Sequence, residues 1–92
     1  MPPLSAQEVA SNLSTLQDWQ VQAGELVRTF HFEDFRAAMR FVNRVAEVAE
    51  EAGHHPDIDI RYNRVRLALV THDAGGLTNK DFHLAAQTDK LT

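Results

Sequence analysis

Three histidines stand where the sequence predicts that regular elements end. His54 and His55 follow Gly53, a helix stop, and His72 precedes the glycine pair at 75–76. Imidazole titrates near neutral pH, so one ring can donate a proton while another accepts one. The chain contains no cysteine and no serine nucleophile motif. The pattern therefore favours proton transfer over covalent catalysis.

Carboxylates accompany these histidines along the chain. Glu50 lies one helical turn before His54, at the border of the polar helix face, so it can lean toward the strands rather than into water. Either Glu50 or Asp57 can fix the tautomer of a neighbouring ring. Asp73 and Asp81 flank the glycine pair and add two further acidic groups.

Two other interpretations of the histidines stay open. Imidazole and carboxylate groups also bind zinc or iron, but adjacent residues such as His54 and His55 rarely reach one ion together. The sequence has neither an H-x-x-x-H nor an H-x-H spacing, so we predict no metal site. The second interpretation is a polar cap or loop residue without a chemical role, and we adopt it for His31 and His83.

Composition narrows the class of protein. The 92 residues are 43% hydrophobic and 24% charged, which is typical of a globular chain, and we predict one domain over residues 1–92. The formal charge of −4 argues against a nucleic-acid partner. No apolar run approaches the ~18 residues that span a bilayer, and the first residues do not resemble a signal peptide. We therefore predict a cytoplasmic protein that binds neither nucleic acid nor membrane.

Periodicity and turn residues predict the elements that must position these groups. Apolar residues recur at helical spacing most strongly just before Gly53, and alternation marks four strands. Ser5 with Glu8, and Thr78 with Asp81, each fit a capping box at a helix start. The predicted helices span residues 6–13, 34–52 and 79–88, and the predicted strands span 19–21, 26–32, 57–62 and 64–69.

The resulting order, α-β-β-α-β-β-α, favours the α+β class, an antiparallel sheet with the helices packed on one face. We expect Asn63 to take the left-handed conformation in the last hairpin turn, and His72 to end the fourth strand. The apolar stripe of the long helix spans roughly 200°, more than one sheet face requires. A deeply seated helix explains this width, but we favour a second contact, with another subunit.

A small basic set, Arg61, Arg64 and Arg66, lies around the predicted hairpin turn. A solvated sheet face is the simpler interpretation, and we favour it. Contact with an acidic partner surface is the alternative.

Three segments of the chain carry a specific combination of residues. They are Glu50-x-x-x-His54-His55-Pro56, Tyr62-Asn63-Arg64-Val65 and Thr71-His72-Asp73-Ala74-Gly75-Gly76-Leu77-Thr78-x-x-Asp81. Together they resemble the pterin-4a-carbinolamine dehydratase family, and the resemblance covers nearly the whole chain. The spacing is the specific part, since a third histidine follows His55 by seventeen residues and an aspartate follows His72 by nine.

The resemblance implies a four-stranded antiparallel sheet with three helices on one face, and an enzyme that needs no cofactor. Such an enzyme is a hydro-lyase that eliminates water from 4a-hydroxytetrahydrobiopterin to give quinonoid dihydrobiopterin. The reaction recycles tetrahydrobiopterin for aromatic amino acid hydroxylases. Loss of the hydroxyl needs a proton delivered to the leaving oxygen and one removed from the adjacent ring nitrogen, which two histidines can do.

The family's motifs also imply roles for individual residues. His54 and His72 match the acid–base pair, in which either ring can be the acid and the other the base, and His55 is expected to hold the substrate and support the reaction. Glu50 and Asp81 match acidic positions that orient imidazole rings. The segments expected to contact the pterin are Gly53-His54-His55 and Val70-Thr71-His72-Asp73.

The resemblance further implies partners. Family members form homodimers and homotetramers through the strands and the long helix, and the pterin links them to an aromatic amino acid hydroxylase. Some members act as dimerisation cofactors of a homeodomain transcription factor, so a protein-binding module without essential catalysis is the alternative function. A pterin-binding, chaperone-like protein that has lost catalysis is a further one. The three clustered histidines argue against both, because a scaffold has no physical need for titratable rings.

Overall fold

The computed structural model describes residues 2–92, which form three α-helices and one four-stranded antiparallel sheet. The elements are α1 (Ala6–Leu13), β1 (Gln20–Gln22), β2 (Glu25–His31), α2 (Phe35–Ala52), β3 (Asp57–Arg61), β4 (Arg64–Leu69), a 3-10 turn (His72–Ala74) and α3 (Asn79–Asp89). The strands lie in the order β1-β2-β4-β3. This architecture confirms the predicted α+β class and element order, and the predicted spans agree with the observed ones within one residue, apart from the prediction that His72 ends the fourth strand.

Side-chain caps fix where the helices begin. The Glu8 amide donates to the Ser5 hydroxyl and the Ser5 amide donates to the Glu8 carboxylate, which is the predicted capping box. Two hydrogen bonds hold the pKa of Glu8 below its usual value. The one from the Ser5 amide has the larger effect, and the one with the Ser5 side chain has the smaller. Thr78 and Asp81 form the second predicted box at the start of α3, and the Asp34 side chain caps α2.

The core lies between one face of the sheet and the helices. Leu26 and Phe30 of β2 lie opposite Leu69 and Val65 of β4, so all four side chains project to the same face. The helices bury their apolar sides against these residues, as predicted. The buried residues of α2 and α3 in this cluster are Ala38, Phe41, Val45, Ala49, Phe82, Leu84 and Ala85.

The turn between β3 and β4 differs from the prediction. Tyr62, rather than Asn63, takes the left-handed conformation, with a φ of 50°. The Asn63 side-chain amide donates to the Phe32 carbonyl at 2.9 Å, and the Phe32 amide donates to the Asn63 carbonyl at 2.9 Å. These two hydrogen bonds hold Asn63 against the end of β2, which leaves the positive φ to Tyr62.

The helices formed by residues 2–92 include none that has both the length and the apolar character needed to cross a bilayer. The cytoplasmic location and the single domain over residues 1–92 stay predictions.

Gly53 ends α2 and starts the segment that carries His54 and His55. It takes a φ of 63°, and its amide donates to the carbonyls of Ala49 and Glu50. The left-handed conformation costs a residue with a Cβ about 1–2 kcal/mol, so glycine suits this position. The C-terminal stop predicted at Gly53 is confirmed.

We predict that Gly53→Ala lowers the free energy of unfolding by about 1–2 kcal/mol, because a Cβ is strained at this φ. Gly53→Asn is the matched control. Its free energy of unfolding is expected to fall by less than that of Gly53→Ala, since asparagine tolerates the left-handed region better. Urea unfolding, followed by the fluorescence of buried Trp19, measures both variants. An alanine variant as stable as the wild type would contradict the proposed strain.

Candidate functional site

A cleft of about 270 Å³ lies between the C-terminal end of α2 and the segment that follows β4. Its volume is just under the usual range of small-molecule pockets, ~300–1,000 Å³. It includes every residue of the two segments expected to contact a pterin, although that contact stays a prediction. The lining residues are Gly53, His54, His55, Val70, Thr71, His72, Asp73 and Lys80.

His54 is held from behind by Asp81. The His54 Nε2 atom lies 2.6 Å from the Asp81 Oδ1 atom. The histidine side chain is 12% exposed and the aspartate side chain is fully buried. Asp81 lies in the first turn of α3, where the partial positive charge of the helix N-terminus suits an anion. Asp81, the acidic member of the capping box of α3, therefore also orients a ring of the cleft.

The second oxygen of Asp81 is also occupied. Oδ2 accepts hydrogen bonds from the Thr71 hydroxyl at 2.8 Å and from the Thr78 amide at 2.9 Å. These donors offset the cost of burying a carboxylate. Because an ionised carboxylate only accepts hydrogen bonds, Nε2 of His54 carries the hydrogen. Nδ1 is then the ring nitrogen that can exchange a proton with a ligand.

His55 has a different environment. Its Nε2 atom lies 2.5 Å from the Glu50 Oε2 atom, and the two side chains are 61% and 76% exposed. Glu50 does pair with an imidazole, but it points into water instead of leaning toward the strands. An exposed pair of this kind contributes little to stability. His55 is therefore free to change its contacts when a ligand enters.

His72 lies three residues beyond the end of β4, so the prediction that it ends that strand is wrong. It begins the 3-10 turn, which closes at Gly75 with a φ of 76°. Thr71 forms an isolated bridge to Gly76 across this loop, and its amide donates to the Gly76 carbonyl at 3.1 Å. Directly after the loop, the carbonyl of Leu77 accepts a hydrogen bond from the amide of Leu4 at 2.8 Å. The loop that presents the His72 ring is thus fixed on both sides.

Several other residues lie away from the cleft. Asp57 is exposed on β3, His31 is exposed on β2, and His83 is exposed on α3. The predicted polar roles of the two histidines agree with this exposure. Sequence reasoning missed Lys80, which lines the cleft from the first turn of α3. Its only sequence signal was its place inside the capping box, directly before Asp81.

The chemistry of the cleft distinguishes it from the larger groove beside α1. That groove, of about 420 Å³, is lined by Glu8 and by uncharged residues of α1 and the start of α3. Glu8 is already occupied by its capping box. Among residues 2–92, no group of three or more metal-binding side chains comes together.

Comparison with known proteins identifies the family. The family model described as Pterin 4 alpha carbinolamine dehydratase matches residues 2–91. The chain belongs to the pterin-4a-carbinolamine dehydratase family. A relative from Chloroflexus aurantiacus is 62% identical over 91 residues, covering 99% of this chain and 98% of that protein. One from Acidobacterium capsulatum is 63% identical over 91 residues, covering 99% of both. Both are provisionally named pterin-4-alpha-carbinolamine dehydratases.

Two solved structures are similar to this family member. A protein from Brucella melitensis, described as a transcriptional coactivator/pterin dehydratase, has a TM-score of 0.93 and 33% identity over 97% of each chain. A pterin dehydratase-like protein, described as a RuBisCO assembly factor in the alpha-carboxysome, has a TM-score of 0.70 and 25% identity, covering 83% of this chain and 90% of that one. The family recognised from the three sequence segments is therefore confirmed.

We predict that Asp81→Asn lowers the free energy of unfolding by about 1–3 kcal/mol, because an amide nitrogen replaces one of two carboxylate oxygens that accept hydrogen bonds. Asp73→Asn makes the same chemical change at an exposed position of the cleft and should stay within about 0.5 kcal/mol of the wild type. Urea unfolding measures the difference. Equal losses in the two variants would argue against the buried network.

Proposed function

We propose that this family member is a hydro-lyase that eliminates water from 4a-hydroxytetrahydrobiopterin to give quinonoid dihydrobiopterin. The observation that carries the proposal is the cleft where His54, His55 and His72 come together, with His54 held by a buried carboxylate. Family membership supports the substrate class. The clustered imidazoles support proton-transfer chemistry.

The reaction breaks the bond between C4a and its hydroxyl oxygen and removes the hydrogen from the adjacent nitrogen, N5. A double bond forms between C4a and N5 and water leaves, so the step consumes no oxidant or reductant. The protein must deliver one proton to the leaving oxygen and accept one from N5. General acid–base catalysis of this kind typically contributes about 10²–10⁴-fold.

We assign the base to His54 and the acid to His72. The Nε2–H of His54 donates to Asp81, which leaves a lone pair on Nδ1 for the N5 proton. The imidazolium that results lies against the Asp81 carboxylate, which stabilises it as in other His–Asp pairs. The exposed ring of His72, on the second segment of the cleft, delivers a proton to the hydroxyl. Exchange with water restores both rings.

The rest of the cleft holds the substrate. Backbone groups of residues 53–55 and 70–73 can pair with the amide-like edge of a pterin ring, and His55 adds a polar side chain. No cofactor takes part in this scheme. The product serves tetrahydrobiopterin recycling for an aromatic amino acid hydroxylase, in the cytoplasm.

A partly exposed apolar strip on α2 favours protein binding as a second function. The strip continues the buried side of the helix, and Phe35 within it is 50% exposed. We propose that a second copy of the chain covers it in a homodimer or homotetramer, which explains the wide apolar stripe. A protein partner such as a transcription factor is the alternative occupant, since two similar structures are described as a coactivator and an assembly factor. The strip consists of Phe35 and Ala46, which are exposed, and of Met39 and Val42, which are half-buried.

We predict that the wild type accelerates dehydration of synthetic 4a-hydroxytetrahydrobiopterin and that His54→Ala and His72→Ala each lose about 10²-fold or more of this rate. Stopped-flow absorbance measures the reaction. His83→Ala is the matched control, because His83 is exposed on α3 outside the cleft, and it should keep the wild-type rate. A folded wild type that gives no acceleration would rule out the enzyme and favour the protein-binding function.

We predict that Met39→Glu reduces the assembly to a smaller species, because a carboxylate inside an apolar contact has no partner. Arg44→Glu, on the polar face of α2, is the control and should leave the assembly unchanged. Size-exclusion chromatography with light scattering gives the mass of each variant. An unchanged mass for Met39→Glu would show that the strip is not the subunit contact.

A further inference from the structure

Two buried threonines, one in the wall of the cleft and one at the start of α3, form a chain of hydroxyl groups. Thr71 and Thr78 are 8% and 2% exposed, and their Oγ1 atoms lie 2.8 Å apart. The Thr71 Oγ1 atom lies a further 2.8 Å from Oδ2 of Asp81. The sequence motifs placed Thr71 among the residues that contact the substrate, but its hydroxyl points to the carboxylate.

The direction of these hydrogen bonds follows from the chemistry of the groups. Each hydroxyl has one hydrogen to donate, and an ionised carboxylate only accepts. The Thr71 hydroxyl must therefore donate to Asp81, and the Thr78 hydroxyl must donate to Thr71. The oxygen of Thr78 in turn accepts the amide of Lys80 at 3.3 Å. The chain runs from the helix cap to the carboxylate in one direction.

This chain restricts how the carboxylate can turn. Oδ2 of Asp81 is held by the Thr71 hydroxyl and by the Thr78 amide, so Oδ1 remains directed at Nε2 of His54. Without the Thr71 hydroxyl, Oδ2 keeps a single donor, and rotation about the side-chain bond would weaken the contact with the ring. The orientation and tautomer of His54 thus depend on a group that does not face the cleft.

We infer that Thr71 is a positioning residue for His54, and that the Thr78 hydroxyl orders Thr71. The inference rests on the proposed function, in which Nδ1 of His54 accepts the proton. The backbone of Thr71 stays available to the substrate, while its side chain acts through Asp81. Removing a residue that orients a metal-binding histidine lowers metal affinity or activity by about 10–100-fold, and we expect a loss of activity on that scale here.

The test compares Thr71→Val, which keeps the shape and removes the hydroxyl, with Thr71→Ser, which keeps the hydroxyl. We expect Thr71→Val to lower kcat for 4a-hydroxytetrahydrobiopterin by about 10–100-fold with KM unchanged, and Thr71→Ser to restore most of it. Thr88→Val is the matched control. Thr88 is fully buried, and its hydroxyl donates to the Ala85 carbonyl at 2.9 Å within α3.

A second readout needs no substrate. Long-range ¹H–¹⁵N spectra of histidine-labelled protein report which ring nitrogen of His54 carries the hydrogen. We expect Nε2–H in the wild type, in Thr71→Ser and in Thr88→Val, and a mixture of both tautomers in Thr71→Val. This measurement tests the positioning role even if the wild type proves inactive, an outcome that would reject only the proposed function.

Three results would overturn the inference. A higher KM with unchanged kcat in Thr71→Val would mean that the hydroxyl contacts the substrate. An unchanged His54 tautomer would mean that the hydroxyl does not orient the ring. An equal loss of kcat in Thr88→Val would mean that the effect is one of stability. If Thr71→Val does not fold, the same comparison can be made between Thr78→Val and Thr78→Ser. Because the Thr78 hydroxyl lies one hydrogen bond further from Asp81, we expect a smaller loss of kcat in Thr78→Val.

Discussion

The candidate site depends on the burial of one carboxylate, that of Asp81. A buried carboxylate is costly unless hydrogen-bond donors surround it. Here the donors come from three parts of the chain: the His54 ring after α2, the Thr71 hydroxyl after β4, and the Thr78 amide at the start of α3. The group that caps a helix is therefore also the group that joins the two segments of the cleft.

The backbone places those donors by ending elements at defined points. Gly53 turns the chain out of α2 with a positive φ, so that His54 follows at once. After β4, the 3-10 turn and Gly75 bring the chain back toward α3, and the bridge between Thr71 and Gly76 closes the loop. The rings of the cleft thus stand on the ends of rigid elements rather than on long loops. This arrangement suits proton transfer, which needs fixed distances.

The sequence was most informative where structure is local. Capping boxes, the glycine stop and strand alternation act over a few residues, so the predicted helix and strand spans agree with the structure within one residue, apart from the strand end predicted at His72. Prediction was incomplete where distant segments meet. Tyr62 carries the positive φ because Asn63 binds Phe32, just after β2. The resemblance implied that Asp81 orients an imidazole, but only the fold shows that this ring is His54, 27 residues away in the sequence.

We propose that Asp81 holds His54 so that Nδ1 accepts a proton from the pterin. A crystal structure of the protein with a tetrahydropterin, which carries a hydrogen on N5 as the substrate does, provides the direct test. We expect Nδ1 of His54 to lie about 2.6–3.2 Å from N5 of the ring, with the contact between Nε2 and Asp81 retained. A pterin bound outside this cleft, or a His54 ring turned so that Nδ1 faces Asp81, would contradict it.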